Sequence, residues 1–456
     1  MESTTKKVTT ANLFRNRRGT IVYRILIAVF GIALKVFFRR IETVNADSVP
    51  SGTGVIFVMN HPNGLIDPAL VFVALPRRIS FLAKSTLFRM PVIGWILRTI
   101  GALPLYRKID AGEDVSKNLQ TFEMCHDLLQ SGGSIALFPE GVSHNSPKLL
   151  PLKSGASRIA IGAASAGDEN LKVTIVPVGL YYTNKTTFRS EALLHFGEAF
   201  DVSPAELDEH GQPPRDRVKS LTEKIDAALR DVTLNAENEA ELHAAAIAEQ
   251  IFTAARPDQS LGSELVFRKE FVRETGDGID AESDEKLRSR LREFDAKLDD
   301  FGIAAAHLSL ARYSRRSVVR GAFNYAWRLL LLAPLALLGA VLHFPAYQLC
   351  RLFARWYASH GADDVASTAK VLAGILFMPL TWLIAAAVIF YFWHSPWVLL
   401  TFPIGFLSGY ASLYTLEEFE EMRNWAKAIW QFLTKRERFL RLYVERRNIE
   451  ADLRGL

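Results

Sequence analysis

The stretch Gly54-Val55-Ile56-Phe57-Val58-Met59-Asn60-His61-Pro62-Asn63-Gly64-Leu65-Ile66-Asp67-Pro68 sets the fold class. Six apolar residues read as a strand that stops at a histidine, and Asp67-Pro68 reads as a helix start, Asp at the cap and Pro at the first helical position. Strand, short loop and helix open an α/β unit. Working outward, the same alternation continues from Gly52 to Asp201. Further strands are expected at Ile79–Ala83, Ala102–Leu105, Ser134–Phe138, Lys172–Val178 and Leu193–Phe196, with helices at Ser85–Ile100, Glu113–Gln130 and Lys153–Ala164. The fold class is therefore α/β, an open mixed or parallel sheet flanked by helices, expected over residues 41–203.

Outside this domain the composition changes. Residues 204–325 are charged and rich in Ala, Leu and Glu, a helical spacer with amphipathic stretches at Val218–Val232 and Asp284–Leu298 and breaks at Pro257-Asp258 and Gly276-Asp277-Gly278. From Leu329 to Cys350, and again from Val371 to Leu416, no Lys, Arg, Asp or Glu occurs. A wholly soluble protein is excluded. Three segments in 326–416 are long enough to span a bilayer as helices: Leu329–Cys350, Val371–Trp393 and Trp397–Leu416. Three crossings would put the basic tail, residues 417–456, on the face opposite a cytosolic catalytic domain, against the positive-inside rule. Pro334 and His343-Phe344-Pro345 interrupt the first segment, which is read as re-entrant or interfacial, followed by a hairpin turning at His394-Ser395-Pro396.

The first 40 residues carry nine Lys/Arg (six of them Lys6, Lys7, Arg15, Arg17, Arg18 and Arg24) against one acid, Glu2. The apolar core Ile25–Leu34, ten residues long, is too short to span and is read as an interfacial amphipathic helix, with a buried domain helix as the alternative. The chain of 456 residues has 54 basic and 49 acidic side chains, net +5, an excess that suits anionic lipid and does not call for nucleic acid. Two cysteines, Cys125 and Cys350, make no disulfide framework and no metal-binding pair, which fits a reducing compartment.

Chemistry gathers where apolar strands stop. His61 has a carboxylate, Asp67, a short loop away that can orient its imidazole, the arrangement of a general base. Arg107 ends Gly101-Ala102-Leu103-Pro104-Leu105-Tyr106-Arg107 and can hold a phosphate by two parallel hydrogen bonds. Glu140 and Gly141, in Phe138-Pro139-Glu140-Gly141-Val142-Ser143, can bind a polyol's hydroxyls, and Lys153 is a further phosphate contact. If the strands are parallel, their carboxyl ends open on one crevice, where ligands bind. Base, phosphate clamp and polyol site would then converge for attack by a phosphorylated alcohol on a lipid-derived electrophile.

The order of these blocks resembles the glycerolipid acyltransferases, the glycerol-3-phosphate and 1-acylglycerol-3-phosphate O-acyltransferase superfamily, over residues 50 to 200. The family's His-x4-Asp, Gly…Arg, Phe-Pro-Glu-Gly and Val-Pro-Val blocks match His61 with Asp67, Gly101 with Arg107, Phe138 to Gly141, and Val176-Pro177-Val178. Five residues, not four, separate His61 from Asp67, which is closer to the branch acting on glycerol 3-phosphate and dihydroxyacetone phosphate. Gly64 can absorb the extra residue. The resemblance implies an integral membrane enzyme, expected to have its catalytic domain on the cytoplasmic face, moving an acyl group from acyl-CoA or acyl carrier protein to a hydroxyl of glycerol 3-phosphate, with lysophosphatidate or another lysophospholipid as the alternative acceptor. It implies no metal and no cofactor beyond the donor thioester. His61 would be the base, Asp67 its orienting partner, Arg107 the phosphate holder, and Glu140 and Gly141 the glycerol binders. Two other readings compete: a metal-dependent hydrolase using His61, Asp67 and His144, and a non-catalytic membrane scaffold or transporter.

Overall fold

The computed structural model describes residues 5–8, 19–75, 77–166, 172–254, 259–277, 281–308, 315–358 and 366–454. Arg15, Arg17 and Arg18 of the basic arm, and the breaks at Pro257-Asp258 and Gly278, lie outside these residues. The chain divides into two compact units, Met1–Asn235 with Ala358–Val371, and Ala236–Tyr357 with Leu372–Leu456.

The first unit holds a nine-stranded mixed sheet: β1 (Thr5–Lys7), β2 (Arg40–Val44), β3 (Gly54–Met59), β4 (Ser80–Lys84), β5 (Leu103–Leu105), β6 (Ser134–Leu137), β7 (Val173–Tyr182), β8 (Glu191–Phe196) and β9 (Phe200–Asp201). The order is β1-β2-β8-β7-β3-β6-β4-β5, with β9 paired to β7. Strands β3 to β7 run parallel, while β8 is antiparallel to β7. All residues of β3, β6 and β7 are buried, as expected for parallel strands covered on both faces.

Among the described residues, the helices lying wholly in this unit are α1 (Ile21–Phe37), α2 (Ile66–Ala74), α3 (Pro91–Ile100), α4 (Asn118–Gln130), α5 (Gly155–Ala166) and α6 (Arg215–Val232). Ile56, Val58, Ile135 and Ile175 pack with Cys125 and Leu129 of α4, Ile159 and Ala160 of α5, and Ile225 and Leu229 of α6. Helix α1 buries Tyr23, Ile27 and Leu34, with the Tyr23 ring edge-on to Phe72 of α2 at 5.1 Å, and leaves Ile21 and Ile25 exposed. The alternative reading, a buried domain helix, therefore holds for one face of α1, while its other face is exposed and apolar at Ile21 and Ile25.

Several boundaries differ from the sequence expectations for physical reasons. Ser85–Ile100 is not one helix: Pro91 disfavours helical backbone at Met90, which is extended, so a 3-10 turn (Ser85–Arg89) precedes α3. The helix expected from Glu113 begins at Asn118, after a 3-10 turn capped by the Asp114 side chain. Strand β7 runs four residues past Val178, to Tyr182. Helix α6, read as spacer, belongs with the sheet, so the first stretch of this unit runs to Asn235 and not to 203.

The second unit is helical: α7 (Glu239–Thr253), α8 (Leu261–Asp277), α9 (Ala281–Phe301), α10 (Arg315–Ala358), most of α11 (Ala366–Trp393), α12 (Thr401–Thr434) and α13 (Arg436–Arg454). Ala244 and Ile251 of α7, Leu291 and Phe294 of α9, and Phe439, Leu442 and Ile449 of α13 share one core. Spacer and tail therefore fold together. Among the described residues, three helices are long and apolar enough to cross a membrane, Val318–Trp356, Ser367–Trp393 and Pro396–Thr434. The first apolar segment is not re-entrant: Leu329–Cys350 lies inside the continuous helix α10, with Pro334 and Pro345 in its interior. Here α10 packs closely on α12 at Gly339, where a Cβ would meet the Ser408 carbonyl oxygen at 2.0 Å, and the Ser412 hydroxyl donates to the Ala336 carbonyl. The expected turn at His394–Pro396 is present between α11 and the 3-10 turn Pro396–Leu400.

Gly179 of β7 has no room for a side chain, because an added Cβ would sit 1.9 Å from the Val232 carbonyl oxygen at the end of α6. Gly179→Ala should push α6 off the sheet and destabilise the first unit by about 1–3 kcal/mol, the usual cost of overpacking. Thermal unfolding of the purified protein checks this, and an unchanged melting temperature would contradict the placement of α6.

Candidate active site

Strand β3 hands the chain to the site through Asn60. Its side-chain amide accepts from the Leu180 N–H at 2.7 Å and donates to the Leu180 carbonyl at 3.1 Å, extending the pairing of β3 with β7 by one side chain. The loop then turns at Gly64, whose φ is +45°, and α2 starts at Ile66. Asp67 is therefore inside the first turn of α2 and does not cap it. Its carboxylate, with no exposed surface, points back over the loop. Oδ2 accepts from the Asn63 N–H at 2.7 Å and pairs with His61 Nδ1 at 2.8 Å, and Oδ1 accepts from the Tyr182 hydroxyl at 2.5 Å. The five-residue spacing thus allows the His61–Asp67 bond.

A carboxylate can only accept, so the imidazole proton sits on Nδ1 and the lone pair on Nε2. The ring stacks on Phe138 at 4.0 Å with 14° between planes. Tyr182 escaped the sequence reading, which ended β7 at Val178. Burial first, and the Asp67 charge second, push its phenol well above the ordinary range, so it remains a donor.

Glu140 follows β6, but both its oxygens are committed within the protein. Oε1 accepts from the His61 N–H at 2.9 Å, and Oε2 accepts from the Leu150 N–H at 2.8 Å and pairs with His144 Nε2 at 2.5 Å. The His144 N–H donates to the His61 carbonyl at 3.1 Å. Glu140 therefore ties the loop after β6 to the loop after β3, where the sequence had suggested a contact with substrate hydroxyls. His144, named above as a candidate metal ligand, spends its imidazole on Glu140. Among the described residues no group of three or more His, Cys, Asp or Glu could hold a metal ion.

Arg107, just past β5, donates through Nε and Nη2 to Asp110 at 2.9 and 3.1 Å, and through Nη1 to the Gly141 carbonyl at 2.7 Å. Lys84, the last residue of β4, joins the same carboxylate at 2.8 Å. Gly141 has a φ of +76°, and Lys153 lies across it so closely that an added Cβ would be 2.5 Å from Nζ. The Lys153 N–H donates to the Pro139 carbonyl at 2.8 Å. His61, Arg107, Glu140 and Gly141 thus all come from the carboxyl ends of parallel strands β3, β5 and β6, with Lys153 folded onto Gly141. Asp110 and Lys84 were not singled out from sequence, because their meeting depends on how β4 and the loop after β5 pack.

The hydrogen bond from Arg107 first, and Lys84 beside it, lowers the Asp110 carboxyl from its ordinary 3.8 to about 2. A depressed carboxyl stabilises the fold above its unfolded value and loses that contribution as the pH falls through its folded value. Asp110→Asn should therefore melt below the wild type at neutral pH, and the gap should close between pH 3.8 and about 2. Paired melting curves across that range test this, and a gap independent of pH would refute the ionic role.

The model of the acyltransferase family matches residues 40–181. Glycerol-3-phosphate O-acyltransferase 2 of Saccharomyces cerevisiae is 27% identical over 275 residues, covering 58% of this chain and 37% of that protein. A chloroplastic 1-acyl-sn-glycerol-3-phosphate acyltransferase of Brassica napus is 30% identical over 163 residues, covering 35% of this chain and 43% of its own length. The chain thus spans about two fifths of the length of these curated relatives. The crystal structure of the 1-acyl-sn-glycerophosphate (LPA) acyltransferase PlsC from Thermotoga maritima overlaps 49% of this chain and 86% of that one, at 18% identity and a TM-score of 0.34, too loose to bear on the fold. The four sequence blocks, the parallel strand ends that gather them and the match of residues 40–181 to the acyltransferase family model agree.

Proposed function

We propose that this chain is a membrane-bound O-acyltransferase that moves a fatty acyl group from a thioester, acyl-CoA or acyl carrier protein, to a hydroxyl of glycerol 3-phosphate. The observation that carries the reading is the buried Asp67 carboxylate on His61 Nδ1, which leaves Nε2 as a base at the carboxyl ends of the parallel strands. In the reaction, Nε2 takes the hydroxyl proton as the oxygen attacks the thioester carbonyl. The ester C–O bond forms, the C–S bond breaks, and the proton passes to the leaving sulfur. Asp67 stabilises the imidazolium between these steps. Arg107, whose Nη1 and Nη2 keep further N–H groups, and Lys153 hold the acceptor phosphate, while the Gly141 backbone lies beside both. No cofactor besides the donor enters this scheme.

The three long apolar helices found among the described residues support attachment to a bilayer, and the exposed Ile21 and Ile25 of α1 suit a lipid surface; the catalytic domain is proposed to face the cytoplasm. The core that α7 and α9, before the apolar region, share with α13 after it supports placing both ends of that region on one face, with an even number of crossings.

Acyl transfer is tested with purified protein in lipid nanodiscs, offering labelled glycerol 3-phosphate or lysophosphatidate separately. We expect lysophosphatidate from glycerol 3-phosphate, and a loss of at least about a hundredfold in His61→Ala, the usual range for a general base. Product from lysophosphatidate alone would move the acceptor to the second acylation, which the Brassica relative's name favours; activity surviving in His61→Ala would sink the mechanism. For topology, single cysteines at Glu285 and Glu437 should react with an impermeant maleimide from the same side of a sealed vesicle. Labelling from opposite sides would refute the even count.

A further inference from the structure

We infer that the first turn of the membrane helix α11 braces the catalytic loop, with Ser367 and Thr368 as positioning residues for the His61–Asp67 pair. The segment Ala358–Val371 belongs to the same compact unit as the sheet. Ser367, Thr368 and Ala369 are buried there, at 0%, 6% and 3% exposure, although they open a helix that is apolar enough to cross a membrane. The Ser367 and Thr368 hydroxyls are spent on the site. The Thr368 hydroxyl accepts from the Leu65 N–H at 3.2 Å, at the start of α2, two residues before Asp67. The Ser367 hydroxyl donates to the Lys185 carbonyl at 2.5 Å, and the Asn63 side-chain amide donates to the same oxygen at 3.1 Å. Asn63 is the residue whose N–H donates to Asp67 Oδ2. Lys370 closes the contact by donating to the Thr186 carbonyl at 2.7 Å.

The His61-to-Asp67 loop is thus held at two points, Asn63 and Leu65, by groups that come from or share partners with the start of α11. An apolar helix opening on Ser-Thr has no need of these hydroxyls for membrane insertion, but a loop with backbone N–H groups to satisfy does. The brace couples the base to the helix: when the first turn of α11 is seated, Asp67 and Nδ1 keep their register, and Nε2 faces the acceptor. Shifts of about 1 Å in such a constellation can cost about a hundredfold in rate.

This role in catalysis rests on the proposed acyl transfer, so the test pairs kinetics with a readout that needs no turnover. Full-length wild type, Thr368→Val, Ser367→Ala and Thr368→Ser are compared in nanodiscs by steady-state acylation and by hydrogen–deuterium exchange of peptides covering 60–67, with β3 and β7 peptides reporting on the fold. For Thr368→Val we expect faster exchange confined to 60–67, a fall in kcat of about tenfold, KM values for both substrates within about twofold, and recovery of both readouts in Thr368→Ser. Unchanged exchange would show that the contact does not hold the loop and would overturn the inference. Faster exchange with unchanged kcat would overturn its positioning role. If the wild type transfers no acyl group to either acceptor, the proposed function fails, and the exchange data still decide the brace.

Discussion

A carboxylate without solvent-accessible surface must find its hydrogen bonds inside the protein, and Asp67 finds them by drawing three parts of the chain together. The loop gives the Asn63 N–H, the end of β7 gives the Tyr182 hydroxyl, and His61 gives Nδ1–H. Removing any of these leaves buried negative charge short of a donor, so the imidazole tautomer and the loop conformation are fixed by the same requirement. The sheet serves this arrangement. Strands β3 and β7 are neighbours, which is why a residue at the end of one can reach a helix that follows the other.

Glu140 applies the same logic to the neighbouring loop. Its two oxygens take the His61 and Leu150 N–H groups and the His144 imidazole, so the Phe-Pro-Glu-Gly block acts on the base through its backbone. Gly141 is then left with its carbonyl on Arg107 and its open Cα side under Lys153. A carboxylate at a strand end looks like a ligand for substrate when only the sequence is known. Once the loops are folded, the backbone N–H groups around it claim it first, because buried donors left unpaired cost more than a polyol contact returns.

The cationic side of the site is similarly preorganised. Asp110 holds one edge of the Arg107 guanidinium and the Lys84 ammonium together, which counters the repulsion between two cations placed close enough to share an anion. In the second unit, the long apolar helices lean on small residues, Gly339 against Ser408 and Ser412 against Ala336, which lets their backbones approach closely.

The order of apolar strands, the His61, Arg107 and Glu140 positions at their ends, and the long uncharged segments were all legible in the sequence, because burial and membrane insertion select residue types over short windows. The α/β class and the acyltransferase blocks follow from that local information. What the sequence could not supply were contacts made across long separations. Tyr182 meets Asp67 across 115 positions, Thr368 meets Leu65 across 303, and α6 joins the sheet core although its composition reads as spacer. Asp67 looked like a helix cap and Glu140 like a substrate ligand until the fold showed what each side chain must satisfy. Local patterning specified the elements and the chemistry-bearing residues; the demand that every buried polar group find a partner, met only in three dimensions, decided what those residues do.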